Sequence, residues 1–296
     1  MKTSDICIRD PFILPVKAEK RYYMYGTTDK DPWFGKGVGF DAYWSNDLCE
    51  WTGPIPVFRP PQGFWADKDF WAPEVYLWND KFVMFASFKA AGLCRAVHSF
   101  AAQSPLGPFL PLSDEPLTPL LWDCLDGTLF IDDDGKPWMV FCHEWTQIGD
   151  GEICALPLHD TLSKAVGSPN ILFSAKKSGW SQNNTGNVII RDGENFVTDG
   201  PFLYRLKSGA LICIWSSFTS DGYAVGQARS ISGRLSGIWE HNVCPIIFES
   251  SGHGMLFNKF DGNLFLALHH PNETPNERPV FLPMRERDGW LSLCNP

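Results

Sequence analysis

The sequence predicts an all-β chain folded as a five-bladed β-propeller, with residues 1–296 forming a single domain. Three observations carry this. Helix-like stretches are scarce, and 26 Gly and 23 Pro punctuate the chain throughout. A unit made of an apolar run, a polar turn and a second apolar run recurs five times. The recurrence extends over the whole chain, which leaves no room for two unrelated domains. Such a unit suits one sheet of two to four strands, and five of them suit a ring of five sheets.

In order, the copies are DPFILPVKAEKRYYMYGT, APEVYLWNDKFVMFAS, DGTLFIDDDGKPWMVF, DGPFLYRLKSGALICIWS and HGMLFNKFDGNLFLALH. They begin at Asp10, Ala72, Asp126, Asp199 and His253, with gaps of 62, 54, 73 and 54 residues. Turns such as DDDGK and KFDGN suit hairpins, because Asp, Asn and Gly accept positive φ at low cost. The DDDG run at 132–135 lacks the further spaced ligands of a calcium loop and is read as a turn. Between units, SPLGPF at 104–109 resembles LSGIWE at 235–240.

Composition narrows the partners. The net charge is −9, which argues against nucleic acid or an anionic membrane surface. No run approaches 18 apolar residues, so no membrane-spanning helix is expected. Thirteen Trp, 22 Phe and 7 Tyr exceed ordinary usage and suit a large β core together with stacking surfaces for a ligand such as a sugar. Nine cysteines, with no CxxC pair, and a start without a basic, apolar leader suggest free thiols and a cytoplasmic location. On that expectation the glycosylation patterns at Asn183 and Asn272 carry no meaning.

The first residue of each unit points to chemistry. Asp10 and Ala72 precede Pro, while Asp126, Asp199 and His253 precede Gly. The inner strand of each blade lines the central channel, so these positions are expected to share a register and converge on one mouth. A turn preference explains one Asp before Gly; it explains three carboxylates and a His at equivalent positions poorly. Two carboxyl groups facing across a pocket can hydrolyse a glycosidic bond, one delivering a proton and the other activating water or attacking the sugar. A third would raise the pKa of the acid by repulsion.

These stretches resemble glycoside hydrolase family 43, whose members are five-bladed propellers acting on arabinans, xylans and related glycans. IRDPFI resembles the family's opening motif and implies Asp10 as general base. FWAPEVY resembles the second-blade motif beside the site. LDGTLFIDDDGKPWMVF implies Asp126 as the pKa-modulating residue, and VTDGPFLY implies Asp199 as general acid. SGHGMLF implies His253 in the central channel, near a bound calcium ion or water. The family usually has Glu where Asp199 stands, which places the carboxyl about 1.5 Å farther back. Glu144 and Glu194 are the alternative acids, although Glu194 reads as a turn residue.

Trp71, beside the second-blade position, is a candidate platform for a sugar. Strand alternation puts Glu74 on the channel face with Ala72, to bind a sugar hydroxyl or pair with an Arg. Trp33 and Phe34 are candidate ligand contacts in a Gly-rich loop, and His269-His270 reads as a structural pair. Long loops at 27–41 and 57–70 are expected to wall off a pocket. The resemblance thus implies an inverting, exo-acting hydrolase that releases α-L-arabinofuranose or β-D-xylose from small oligosaccharides. An endo-arabinanase and a non-catalytic carbohydrate-binding propeller are the alternatives.

Overall fold

The computed structural model describes residues 1–184 and 193–294. Among the described residues, twenty strands form five four-stranded antiparallel sheets, each in sequence order or its reverse. Blade one holds β1 (Arg9–Val16), β2 (Arg21–Thr27), β3 (Phe40–Ser45) and β4 (Thr52–Phe58). Blade two holds β5 (Lys68–Trp78), β6 (Lys81–Lys89), β7 (Ala96–Ala102) and β8 (Leu110–Pro111). Blade three holds β9 (Cys124–Ile131), β10 (Pro137–His143), β11 (Glu152–Pro157) and β12 (Asn170–Ser174). Blade four holds β13 (Asp199–Arg205), β14 (Leu211–Thr219), β15 (Gly222–Ser230) and β16 (Trp239–His241). Blade five holds β17 (Gly252–Asn258), β18 (Leu264–His270), β19 (Arg278–Arg287) and β20 (Trp290–Leu293).

The first strands of the blades touch in the cycle β1, β5, β9, β13, β17 and back to β1, so the sheets form a closed propeller. Each sheet is covered on both faces by its neighbours. This is why middle strands such as RYYMYGT and LICIWSS read as continuous apolar runs rather than alternating ones. The aromatic surplus is spent chiefly here: Phe40, Phe58, Phe70, Phe88 and Phe100 pack at tilted and edge-to-face angles between blades one and two.

A bulge near the start of each inner strand positions the site. The pairing of the first two strands slips at Arg9/Phe12, Trp71/Glu74, Asp199/Phe202 and Gly252/Met255, and in blade three between Val140 and Cys142 on β10. At every slip one residue has a positive φ: Asp10 at 54°, Ala72 at 45°, Asp126 at 57°, Gly200 at 51° and His253 at 48°. Four of these are not glycine, and a left-handed φ at such residues costs roughly 1 kcal/mol or more. Bulges of this kind re-aim side chains beside a site.

The expected register fails by one residue in blade four. The counterpart of Asp10, Asp126 and His253 is Gly200, followed by Pro201 as Asp10 is followed by Pro11. Asp199 instead matches Arg9, Trp71 and Gly252. The side chain at 200 is missing for a physical reason: a Cβ there would lie 2.8 Å from the His253 ring, on a backbone already at positive φ.

The bulged residues donate their backbone N–H groups to the neighbouring blade. Ala72 donates to Thr27 Oγ1 (2.9 Å), Asp126 to Ser87 Oγ (2.9 Å), His253 to Ser216 Oγ (3.0 Å) and Asp10 to His269 Nδ1 (3.2 Å). In blade three the equivalent place on β10 is Cys142, whose thiol is a weak acceptor. There the Gly200 N–H is taken instead by Asp126 Oδ2 at 2.9 Å.

Candidate active site

The bulges bring a cluster of side chains to one mouth of the channel, in a cavity of about 550 Å³ whose lining includes Asp10, Asp126, Asp199, His253, Trp71 and Trp33. All three expected carboxylates are therefore present, together with the expected His and two of the expected aromatics.

Asp10 is held by three polar neighbours. Its Oδ2 accepts the Thr27 hydroxyl at 2.7 Å, and its Oδ1 lies 3.3 Å from His253 Nδ1 and 3.5 Å from His269 Nδ1. Burial alone would raise its pKa, but His253, Arg9 and the Thr27 bond together hold the carboxyl below the usual range. His269 is neutral: burial pushes it down to about 3, its Nδ1 accepts the Asp10 N–H, and its Nε2 bonds Asn272 Oδ1 at 3.1 Å. Arg9 pairs with Glu277 at 2.6 Å and stacks on Trp33, which ties blade one to blade five.

Asp126 and Asp199 behave oppositely to Asp10. Burial first, then repulsion from Asp10, push Asp126 up to about 8; burial first, then repulsion from Asp126, push Asp199 up to about 7. The expected modulator is thus itself a proton-holding group, and the two titrate as a coupled pair. The Gly200 N–H favours the charged form of Asp126, and the Tyr223 hydroxyl, donating to Asp199 Oδ2 at 2.9 Å, fixes Asp199 at the wall. Around neutral pH the pocket holds an ionised Asp10 and a protonated group across from it. That is the division needed for water activation on one side and proton delivery on the other.

His253 Nδ1 faces Asp10 Oδ1 and, at 3.7 Å, Asp126 Oδ2. Among the described residues no group of three or more His, Cys, Asp or Glu side chains is placed to hold a metal ion.

Other expectations need correction. Glu74 neither faces the pocket nor meets an Arg. It lies buried, bonded to the Tyr76 hydroxyl, and burial pushes it up to about 8. Phe34 is 94% exposed and outside the cavity lining, although Trp33 beside it lines the rim. Trp33 meets Trp71 edge to face at 5.2 Å and donates its Nε1–H to Thr274 Oγ1 at 3.1 Å. Trp71 is held by Pro32 O and by Arg95 stacked 4.3 Å from its ring centre. The loop before β5 does not wall the pocket; its Trp65 turns inward to His98. Of the alternative acids, Glu144 lines the cavity but is ion-paired with Arg95, which also binds Asp69 at 2.8 Å. Glu194 is exposed and paired with Lys176.

Sequence reasoning missed Arg9, Thr27, Trp145, Phe218 and Tyr223 as lining residues. Arg9 had a usable signal, since it precedes Asp10 as Trp71 precedes Ala72. Tyr223, in DGYAVG, had none.

The profile of glycosyl hydrolases family 43 matches residues 5–291. The chain belongs to this family. It superposes on an endo-arabinase structure from Bacteroides thetaiotaomicron with a TM-score of 0.88 and 38% identity, covering 98% of both chains. The extracellular exo-α-(1→5)-L-arabinofuranosidase ArbA of Cellvibrio japonicus is 24% identical over 231 residues, 70% of this chain and 63% of that enzyme. The extracellular endo-α-(1→5)-L-arabinanase 1 of Bacillus subtilis is 23% identical over 133 residues. The chain thus spans less than two thirds of the curated relatives it matches.

Its buried carboxyls also set how stability depends on pH. Asp126, Glu74 and Asp199 have folded pKa values of about 8, 8 and 7, above their unfolded values near 4. The folded state therefore holds protons that the unfolded chain has released, and stability falls as pH rises. Below about 6.5 the depressed His98, His241 and His269 oppose this trend, because they bind fewer protons when folded. Between that pH and about 8 the carboxyls dominate, before the buried thiols of Cys124, Cys142, Cys154 and Cys213 add to the same trend. The melting temperature is expected to fall by several degrees between about pH 6.5 and pH 8, and Glu74→Gln should flatten the slope. Calorimetric melting temperatures of wild type and variant that stay level over this range would remove the argument.

Proposed function

We propose that this family 43 enzyme is an inverting, exo-acting glycosidase that removes terminal L-arabinofuranose from α-1,5-linked oligosaccharides, with β-D-xylosides as the second substrate class to test. Asp10 serves as the base that activates water and Asp199 as the acid that protonates the leaving oxygen, with Asp126 raising the pKa of the acid. The observation that carries the reading is the convergence of Asp10, Asp126 and Asp199 on one pocket, with burial and neighbours holding Asp10 below and Asp199 above the usual carboxyl range. The sugar is suggested by the arabinan-directed names of the relatives above. The nine free thiols fit a reducing cytoplasmic setting, where the substrate would be imported oligosaccharide rather than polymer.

Exo action is supported by the rim. The Trp33–Thr274 bond and the Arg9–Trp33 stack bridge the loops of blades one and five, closing that side of the pocket to a through-running chain. The 38% identity to an endo-arabinase favours the second reading, internal cleavage. Product analysis on α-1,5-arabinopentaose separates them. Exo action gives arabinose and the tetraose from the first turnovers; early arabinobiose and arabinotriose without arabinose would establish the endo reading instead.

A further inference from the structure

The inner strands run from the active-site mouth to the opposite face, and a second cavity of about 430 Å³ opens there between blades three and four. It is formed where β9 turns into β10, where β12 begins, where β13 ends and in the loop after β15. Asp132 lies six residues along the strand from Asp126, which separates the two sites by roughly 20 Å.

The lining combines one indole with groups of both charges. Trp138 is half-buried, and its Nε1–H is spent on Asp132 Oδ2 at 2.9 Å, so what it offers the cavity is ring surface. Arg205 is fixed by the carbonyls of Gly209 and Gly233, each at 3.0 Å, and by Asp133 at 2.8 Å. Arg234, Asp134 and Asn170 are exposed, and among the described residues their side chains make no hydrogen bond or ion pair. The cavity therefore has a pre-set half and a half with unused donors and acceptors.

This chemistry selects among ligands. A phosphate would face the carboxylates of Asp132, Asp133 and Asp134, and a metal ion would face two guanidinium groups. A neutral molecule with many hydroxyls meets neither penalty. It can place C–H faces on the indole while its hydroxyls pair with carboxylate, amide and guanidinium. We propose that this cavity is a second, non-catalytic site for a neutral oligosaccharide, on the face of the propeller opposite the active site. The identity of the sugar, though not the site, rests on the proposed function.

The test uses the full chain carrying Asp10→Asn, so that ligand is not consumed. Titration calorimetry with arabinotriose, xylotriose and galactotriose should give two sites for one of the sugars. Adding Arg234→Ala and Asp134→Ala, both exposed changes, should weaken the second site about tenfold or more, leaving one measurable. On the wild-type background the same two changes should leave hydrolysis of nitrophenyl arabinofuranoside untouched. Trp138→Ala should act likewise, but it packs against the core, so the exposed pair decides. A single site whose binding is indifferent to these changes overturns this proposal while leaving the hydrolase reading intact. No binding by any trisaccharide, with no wild-type hydrolysis of them, overturns both.

Discussion

Replacing Asp10 by Asn should lower kcat on arabino-oligosaccharides by at least about a thousandfold and barely move the melting temperature. The side chain at position 10 receives the Thr27 hydroxyl and lies against His253 and His269. An amide oxygen can still accept from Thr27, so the packing survives. The negative charge that would draw a proton from water does not. Charge matters here because the surroundings of Asp10 are arranged to keep it ionised despite burial. If Asp10 works through water, its carboxyl lies roughly 6.5–9.5 Å from that of the acid, and the first product has inverted anomeric configuration. Proton NMR of fresh product reads this directly. Retained configuration, or an Asn variant with near-normal turnover, would end the assignment of Asp10 as base.

Architecture was legible because a propeller repeats its own signal. Each unit carries two apolar runs with a turn between them, and five copies average out the ambiguity of any one. Convergence of Asp10, Asp126 and His253 was legible for the same reason. The register slip at Asp199 was not, because DGP can be aligned with either DP or DG when only letters are compared. What separates the alignments is a backbone angle and the crowding of Gly200 by His253. Cys142 hid its part similarly. Only beside Thr27, Ser87, Ser216 and His269 does it stand out as the blade junction that lacks a good acceptor. Glu74 was misplaced because strand alternation gives a face but no depth. It lies on a channel strand, yet below the pocket, against the Tyr76 hydroxyl. Pocket residues outside the repeated runs, such as Trp145 on a one-turn helix and Tyr223 on β15, left no trace.

The slip in blade four changes what Asp199 is expected to do. Asp199 stands in the row of Arg9 and Trp71, the row that lines the pocket wall, rather than in the row of Asp10 and Asp126. Its carboxyl accepts from Tyr223 and is pushed up to about 7 by burial and by Asp126, so that a large fraction still carries a proton to donate at neutral pH. A general acid matters most when the leaving group is another sugar and least when it is a nitrophenolate. Asp199→Ala should therefore cut hydrolysis of arabino-oligosaccharides by about 10²–10⁴-fold and spare most activity on nitrophenyl arabinofuranoside. In wild type, kcat/KM on oligosaccharides should decline as pH rises through about 7, and this limb should vanish in the variant. Asp199→Glu then tests reach. A carboxyl advanced by about 1.5 Å must give up the Tyr223 bond or push it aside. A rise in oligosaccharide hydrolysis would mean the shorter chain handicaps the enzyme; a fall would mean that the Tyr223 contact has fitted the wall to aspartate. Equal losses on both substrate types in Asp199→Ala would move the acid to Glu144, which would first have to leave its ion pair with Arg95.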